Sequence, residues 1–504
     1  MAQQSATVDT SEAEAAPADP KRWLALVVIA ISQLMVVLDG TIVNIAMPSA
    51  QAELGISDAD RQWIVTAYTL TFGGLLLLGG RIADYVGRKR VLLIGLVGFA
   101  AASALGGIAT NAATLFAARG LQGAFGALLA PAALSLITVT FTDVKDRARA
   151  FGVFGAIAGV GAAVGLVMGG LLTEYTDWRW CLLVNIPIAG AALLLAIPIV
   201  KESKAEGNTR YDVPGAVLAT AGLVALVYGF TRAAEDGWSA GITLLLFAVA
   251  ALLLVGFVVV EARSSHPLLP LRVVLHRNRG GSFLVSVLLG AGMMGMFLFM
   301  TYYFQQTLNY QPLESGIAYL PFSFALIITA IAASNILPRV GPRAMMTTGG
   351  VLATGGMVWL TQLRVDSSYP AFILPALVLM AIGMALVFVP LGNTSLTGVD
   401  PRDAGVASAM LNTTQMVGGS LGVALLNTVF TTASASYVRE HGPASAGLAA
   451  VHGYNVAFTL SAVLLGVSAV VTFLMIRKVW TPQPPVTDGE EPESVAVAAP
   501  VAVH

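Results

Sequence analysis

Residues 23–48, WLALVVIAISQLMVVLDGTIVNIAMP, decide how this chain is read. The run is almost wholly apolar and holds one ionisable side chain, Asp39. A helix rises 1.5 Å per residue, so about 20 apolar residues cross roughly 30 Å of hydrocarbon. Block 23–47 is long enough to do so. It follows an acidic tail, whereas a cleavable leader carries a positive extreme N-terminus and a shorter apolar core. The block reads as a retained membrane helix.

The rest of the chain repeats the pattern. Of 504 residues, 56% are hydrophobic and 11% are charged, against about 25% charged in soluble domains. Further apolar blocks fall near 63–79, 91–109, 112–135, 150–172, 180–200, 213–231, 241–260, 283–304, 315–337, 344–362, 370–395, 404–430 and 455–477. Barrel strands would alternate with period two over about ten residues, and these blocks do not. The expected fold is an all-α membrane protein with fourteen transmembrane helices.

Basic residues orient it. With the N-terminus in the cytoplasm, 21 of the 27 Lys and Arg fall in cytoplasmic segments. Five lie outside (Arg61, Arg179, Arg232, Arg364 and Arg439), and Arg119 sits inside the fourth block. Positive residues accumulate on the cytoplasmic side, so both termini are expected there. Residues 1–20 and 481–504 read as disordered cytoplasmic tails, and 201–212 as a polar linker.

Several chemistries are excluded by composition. The net charge of −1 offers nothing to nucleic acid. One cysteine, Cys181, and five histidines outside the middles of the blocks leave no metal site in prospect. No phosphate-binding loop of the G-x-x-x-x-G-K-[ST] type occurs, and no catalytic Ser/His/Asp cluster stands out. The chain is therefore expected not to be an enzyme, to hold no cofactor, and to draw its energy from a gradient.

Six blocks, two blocks and six more suggest a duplicated unit with an insert. GRIADYVGRKR (80–90) follows the second block and SNILPRVGPRA (334–344) the tenth. Gly87 matches Gly341 and Lys89 matches Arg343, although Asp84 faces Pro338. Parallel-repeat transporters leave such traces. The expected organisation is a six-helix bundle over 21–200, a linker with two inserted helices over 201–265, and a second bundle over 266–480.

Four motifs resemble one family. GRIADYVGRKR is similar to the major facilitator superfamily loop signature. LDGTIVNIAMP (38–48), ARGLQGAFGA (118–127) and WRWCLLVNIP (178–187) resemble motifs of its fourteen-spanning drug/proton antiporters. The fifth-block signature departs from the pattern, since GLVMGG (165–170) has Leu166 in place of a proline. The tenth block also lacks the acidic residue that some members carry. The resemblance implies proton-coupled efflux by alternating access, with Arg119 in proton coupling and Gly80, Asp84, Gly87 and Arg88 in gating.

Individual residues carry readings of their own. Asp39 is the only carboxylate deep in a block, and burial penalises its charged form, which suits a group that exchanges a proton or binds a cation. A fixed ion pair is the structural alternative. Helical rise places Arg119 at a similar depth, roughly 10 Å below the outer face against about 6 Å for Asp39. Pairing the two is less costly than leaving either alone. Gln122 and Gly126 share the face of Arg119, with Gly123 leaving room beside the guanidinium.

Asp84 is expected to pair with nearby arginines and to cap a helix N-terminus of the second bundle. The family resemblance implies that this is the start of the thirteenth helix, near Asp403–Ala404; a topology determinant with no gating role is the alternative. Gly161, Gly165 and Gly169 bare one face of the fifth helix, and Gly418 and Gly422 one of the thirteenth, for packing or sliding. Phe297, Phe299, Met300 and Tyr303 in the ninth block lie in methionine/aromatic stripes, which suit a drug pocket or plain packing. Asn412, Thr413 and Gln415 are polar positions of the thirteenth.

The expected function is proton-coupled efflux of lipophilic, cationic or aromatic drugs across a bacterial cytoplasmic membrane. Asp39, Gln122, Phe297, Phe299, Met300, Tyr303, Asn412 and Gln415 are the substrate candidates, and Gly165 and Gly169 join the gating set. Expected partners are the substrate, protons and membrane lipids, with the chain acting as a monomer. The alternatives are a dedicated exporter of one natural product, siderophore or lipid, and a non-transporting membrane scaffold.

Overall fold

A computed structural model describes residues 20–477, except 142, 205–211, 265–266, 268–270, 397–398 and 400–403. Apart from Pro20, the expected tails lie outside the described residues, as does most of the linker. The described chain is helical, with no strand.

The first half comprises α1 (Arg22–Leu54), α2 (Trp63–Val86), α3 (Arg88–Gly107), α4 (Ala112–Thr140), α5 (Val144–Tyr175), and the short α6 (Trp180–Leu183) running into α7 (Asn185–Ile199). Next come α8 (Val213–Asp236), α9 (Gly241–Arg263) and a single turn, α10 (Leu271–Val274). The second half holds α11 (Arg277–Tyr302), α12 (Pro312–Ala318), α13 (Leu320–Val340), α14 (Pro342–Leu360), α15 (Leu374–Leu396), α16 (Ala404–His441) and α17 (Ala446–Met475).

Local chemistry sets the boundaries. Asn111, Asp143 and Asp212 cap α4, α5 and α8 by accepting the backbone N–H three residues on, which satisfies donors that the first turn leaves free. Gly55 closes α1 in the left-handed region at φ 61°, where a side chain is disfavoured. The break between α6 and α7 precedes Pro187, which has no N–H to offer the Leu183 carbonyl.

Eleven described helical runs are long and apolar enough to cross a membrane, or twelve if the two segments of α2, bent by 55°, form one span. The expected blocks at 150–172 and 344–362 are occupied by α5 and α14. In α5 the apolar stretch is the shorter Val160–Tyr175.

Packing repeats between the halves. In the first, α1 lies on α5, α2 on α4, and α3 on α4 and α7. In the second, α11 lies on α16, α13 on α15, and α14 on α15 and α17. The halves meet chiefly where α2 crosses α16 and where α5 crosses α12. Helix α8 leans on that first crossing, touching both α2 and α16, while α9 packs on α8 and leaves its other faces exposed.

Bare helix faces permit these approaches. A Cβ at Gly165 would lie 2.0 Å from Thr41 Oγ1, and one at Gly169 2.7 Å from the Ile42 carbonyl, both on α1. On α16, Gly418 and Gly422 are as tight against Val287 and Ala291 of α11. Gly123 does not make room for the guanidinium as expected. Its bare side meets Thr71 Oγ1 and the Tyr68 carbonyl of α2, because α2 and α4 cross there.

Candidate functional site

The first half buries its one deep carboxylate completely. Asp39 of α1 and Gln122 of α4 have no exposed surface, and Arg119 has 1%. Arg119 Nη1 donates to Asp39 Oδ2 at 2.7 Å. Gln122 Nε2 donates to Asp39 Oδ1 at 2.8 Å, and Asn185 Nδ2 donates to the same oxygen at 2.7 Å. The carboxylate thus holds one charged and two neutral donors drawn from α4 and α7.

Each donor is itself fixed. Arg119 Nε donates to the Ile64 carbonyl at 2.9 Å, Nη1 also reaches Gln122 Oε1 at 2.9 Å, and the guanidinium sits 4.5 Å from the Tyr68 ring centroid. Gln122 Nε2 also donates to Ser103 Oγ of α3 at 2.8 Å. Asn185 Oδ1 is buried with no hydrogen-bond partner. A cavity of about 10 Å³ lies beside Arg119, lined by Val43, Ala46, Leu115 and Cys181 among others.

Helical depth pairs Asp39 with Arg119 and helix periodicity puts Gln122 on the same face as Arg119, and the structure places all three in contact. It adds Asn185 and Ser103, which the sequence reading did not single out. Asn185 carried a signal, as the one carboxamide in an otherwise apolar sixth block. Burial also collects two carboxylates at the ends of α8 and α9, Asp212 and Glu261. Both lie within about 3 Å of where a Cβ on Gly215 would stand.

The ninth-block residues lie in the interior of the second half. Phe299 stacks on Phe430 at 5.4 Å, Phe297 packs on Tyr319 and Phe322, and Met300 has no exposed surface. Tyr303 donates to the Arg364 carbonyl at 2.5 Å. Their stripes are filled by helix neighbours, which is the packing alternative. On α16, Asn412 is exposed and Gln415 half-buried.

In the 80–90 loop, Asp84 pairs with Arg88 at 2.9 Å within its own segment. Its expected partner position, Asp403, lies outside the described residues. A Cβ on Gly80 would lie 3.4 Å from Pro131 Cβ, an ordinary contact. Gly87 has φ 120°, and a Cβ there would sit 2.6 Å from Glu202 Oε1. That carboxylate accepts the backbone N–H groups of Lys89 and Arg90 at 3.1 and 3.2 Å, covering the start of α3.

The halves are bonded at the end away from the basic loops. Hydrogen bonds between them at this end join 45–61 to 302–305 and 427, and Glu174 to Leu313. Alongside, Gln62 donates to Thr231 of α8 at 2.7 Å, and Thr428 to the Phe230 carbonyl at 2.9 Å.

Known proteins match this arrangement. The chain is 49% identical over 463 residues to the puromycin resistance protein of Streptomyces alboniger, covering 91% of this chain and 92% of that one. It is 40% identical over 433 residues to the cephamycin export protein of Amycolatopsis lactamdurans, covering 84% and 89%. The crystal structure of a bacterial homologue of the human lysosomal transporter Spinster superposes with a TM-score of 0.65 at 16% identity. That match covers 92% of this chain and all of that one, and it shows the shared fold. A family model described as the Major Facilitator Superfamily matches residues 29–423, and the chain belongs to that superfamily of membrane transporters.

Proposed function

We propose that this transporter exports lipophilic antibiotic-like molecules from a bacterial cytoplasm in exchange for protons, with Asp39 as the exchanging carboxylate. One observation carries the reading: a fully buried Asp39 whose donors, Arg119, Gln122 and Asn185, come from two other helices. A charge in such a place is held only by its partners. Protonation would weaken the attraction to Arg119 and loosen α4 from α1. The unpartnered Asn185 Oδ1 is the acceptor that a turned amide would offer to a protonated Asp39.

In this reading fourteen helices span the membrane, as two six-helix bundles with α8 and α9 between them, and the basic loops lie in the cytoplasm. The bundles alternate in exposing a central site, and the two ligands bias that equilibrium in opposite directions. Asn412 and Gln415 remain substrate candidates on α16, and Asp84, Arg88 and Gly87 act in the cytoplasmic gate. The protein works as a monomer on a proton gradient, without a cofactor.

The test is efflux of a fluorescent lipophilic cation from proteoliposomes with and without a pH gradient. Gradient-driven efflux in the wild type and its loss in folded Asp39→Asn are expected; equal behaviour would make Asp39 structural. A second reading, export of one natural product, is favoured by the relative named for cephamycin export. Protection of cells against a single compound in a mixed antibiotic panel would select it.

A further inference from the structure

At the end of the molecule away from the basic loops, a second arginine is as buried as Arg119. Arg61, in the connection between α1 and α2, is 1% exposed. Its guanidinium carbon lies 4.1 Å from the ring centroid of Tyr302, 4.5 Å from Phe430 and 6.0 Å from Phe299. All three rings belong to the second half of the chain. Arg61 Nε donates to Asn427 Oδ1 at 3.1 Å. Asn427 Nδ2 in turn donates to the carbonyls of Asp58 and Ala59 at 2.7 and 3.2 Å.

Ionic pairing here is thin. Asp58 lies 3.3 Å away, on the same connection as Arg61 and 61% exposed, and Arg61 Nη2 is buried without a hydrogen-bond partner. Removing a cation from water is costly unless something replaces the water. Ring faces and one amide do that for Arg61, and every one of them is on the opposite half. The contact therefore exists only while the halves are together at this end. A leucine would close the seam without any desolvation cost, but nothing would draw it back out. A guanidinium is held when the rings surround it and is rehydrated when they part, which lowers the cost of opening.

We propose that Arg61 is the latch of the outer mouth, a positioning residue for export that is caged by Tyr302, Phe430 and Phe299 when the mouth is shut and hydrated when it opens. The proposal rests on the alternating-access reading and on the basic loops being cytoplasmic, but not on Asp39 or on protons.

The measurement is an electron-spin distance between labels on Ser57→Cys and Glu440→Cys, in a Cys181→Ser background, in lipid nanodiscs. Unaltered Arg61 should give mainly a short distance. Arg61→Ala should raise the ratio of long to short distances about tenfold, the scale of a desolvated cation–π contact. Phe430→Leu, which leaves Arg61 in place, should shift it the same way. Methylguanidinium added to Arg61→Ala should refill the cage and restore the short distance, because a ligand that binds one state favours it.

Unchanged distances in both variants would overturn the latch, as would a long distance in Arg61→Ala that methylguanidinium does not shorten. Failure of the proton-exchange reading shows separately, as Asp39→Asn efflux equal to wild type with the distances unaffected.

Discussion

Asp39 accepts three hydrogen bonds, and the charged one decides what its substitutions will do. Asp39→Asn leaves the Arg119 cation buried without its counter-charge, an effect of roughly 3–5 kcal/mol. The double variant Asp39→Asn/Arg119→Gln removes both charges, and its thermal stability should exceed that of Asp39→Asn alone. A double variant less stable than both singles would mean the charges are not coupled. Asn185→Leu removes one donor to the carboxylate, about 1.5–3 kcal/mol of charge-assisted bonding. Gradient-driven efflux should fall about tenfold or more, with the protein still folded, and an unaltered rate would remove Asn185 from the site. Asp39 and Arg119 were legible in the sequence because an ionisable group among apolar residues announces itself. Asn185 left only a faint trace, as the one carboxamide in its block, and Ser103 none, since a neutral polar side chain is common in membrane helices and only the fold shows what it faces.

At the scale of elements, the glycine faces of α5 and α16 hold α1 and α11 at close range. A Cβ on Gly418 would lie 2.1 Å from the Val287 backbone oxygen, which no side-chain rotation relieves. Gly418→Ala should therefore lower stability by about 1–3 kcal/mol, read as an earlier thermal unfolding midpoint in detergent. Gly392, with nothing within 4 Å of its Cβ position, is the matched control and should tolerate alanine at the cost of little or nothing. The spacing of the glycines was visible in the sequence, as were the stripes of the ninth block. What each face meets was not. Phe299 and Tyr303 form a periodic face whether a drug or a neighbouring helix covers it, and in α11 the neighbours Phe430 and Tyr454 cover Phe299.

Across the whole molecule, orientation and the seam between halves are the properties to check. If the basic loops are cytoplasmic, a membrane-impermeant maleimide should label Ser57→Cys in intact cells and Lys204→Cys only after lysis. The opposite pattern would invert the assignment of inside and outside. Cys181 is fully buried, so background labelling should be low. Helix α8 bonds to the seam through Thr231 and Phe230. Replacing Gln62 with Leu should therefore loosen the inserted pair rather than the Asp39 network, which a protease-protection assay on α8 and α9 would read alongside efflux.

Much of the architecture is written in the chain itself. Apolar length sets which segments leave water, basic residues are distributed unevenly between the loops, and one carboxylate lies where a charge is expensive. These are one-dimensional properties, because transfer into a bilayer acts on each segment separately. Partnership is different. Whether Asp39 meets Asn185 of α7, or Arg61 inserts between Tyr302 and Phe430, depends on which helix faces cross and at what depth. Residues 146 and 241 positions apart are brought within contact only by packing. The tertiary structure alone decided those pairings, because contact energies act between faces that the linear order does not bring together.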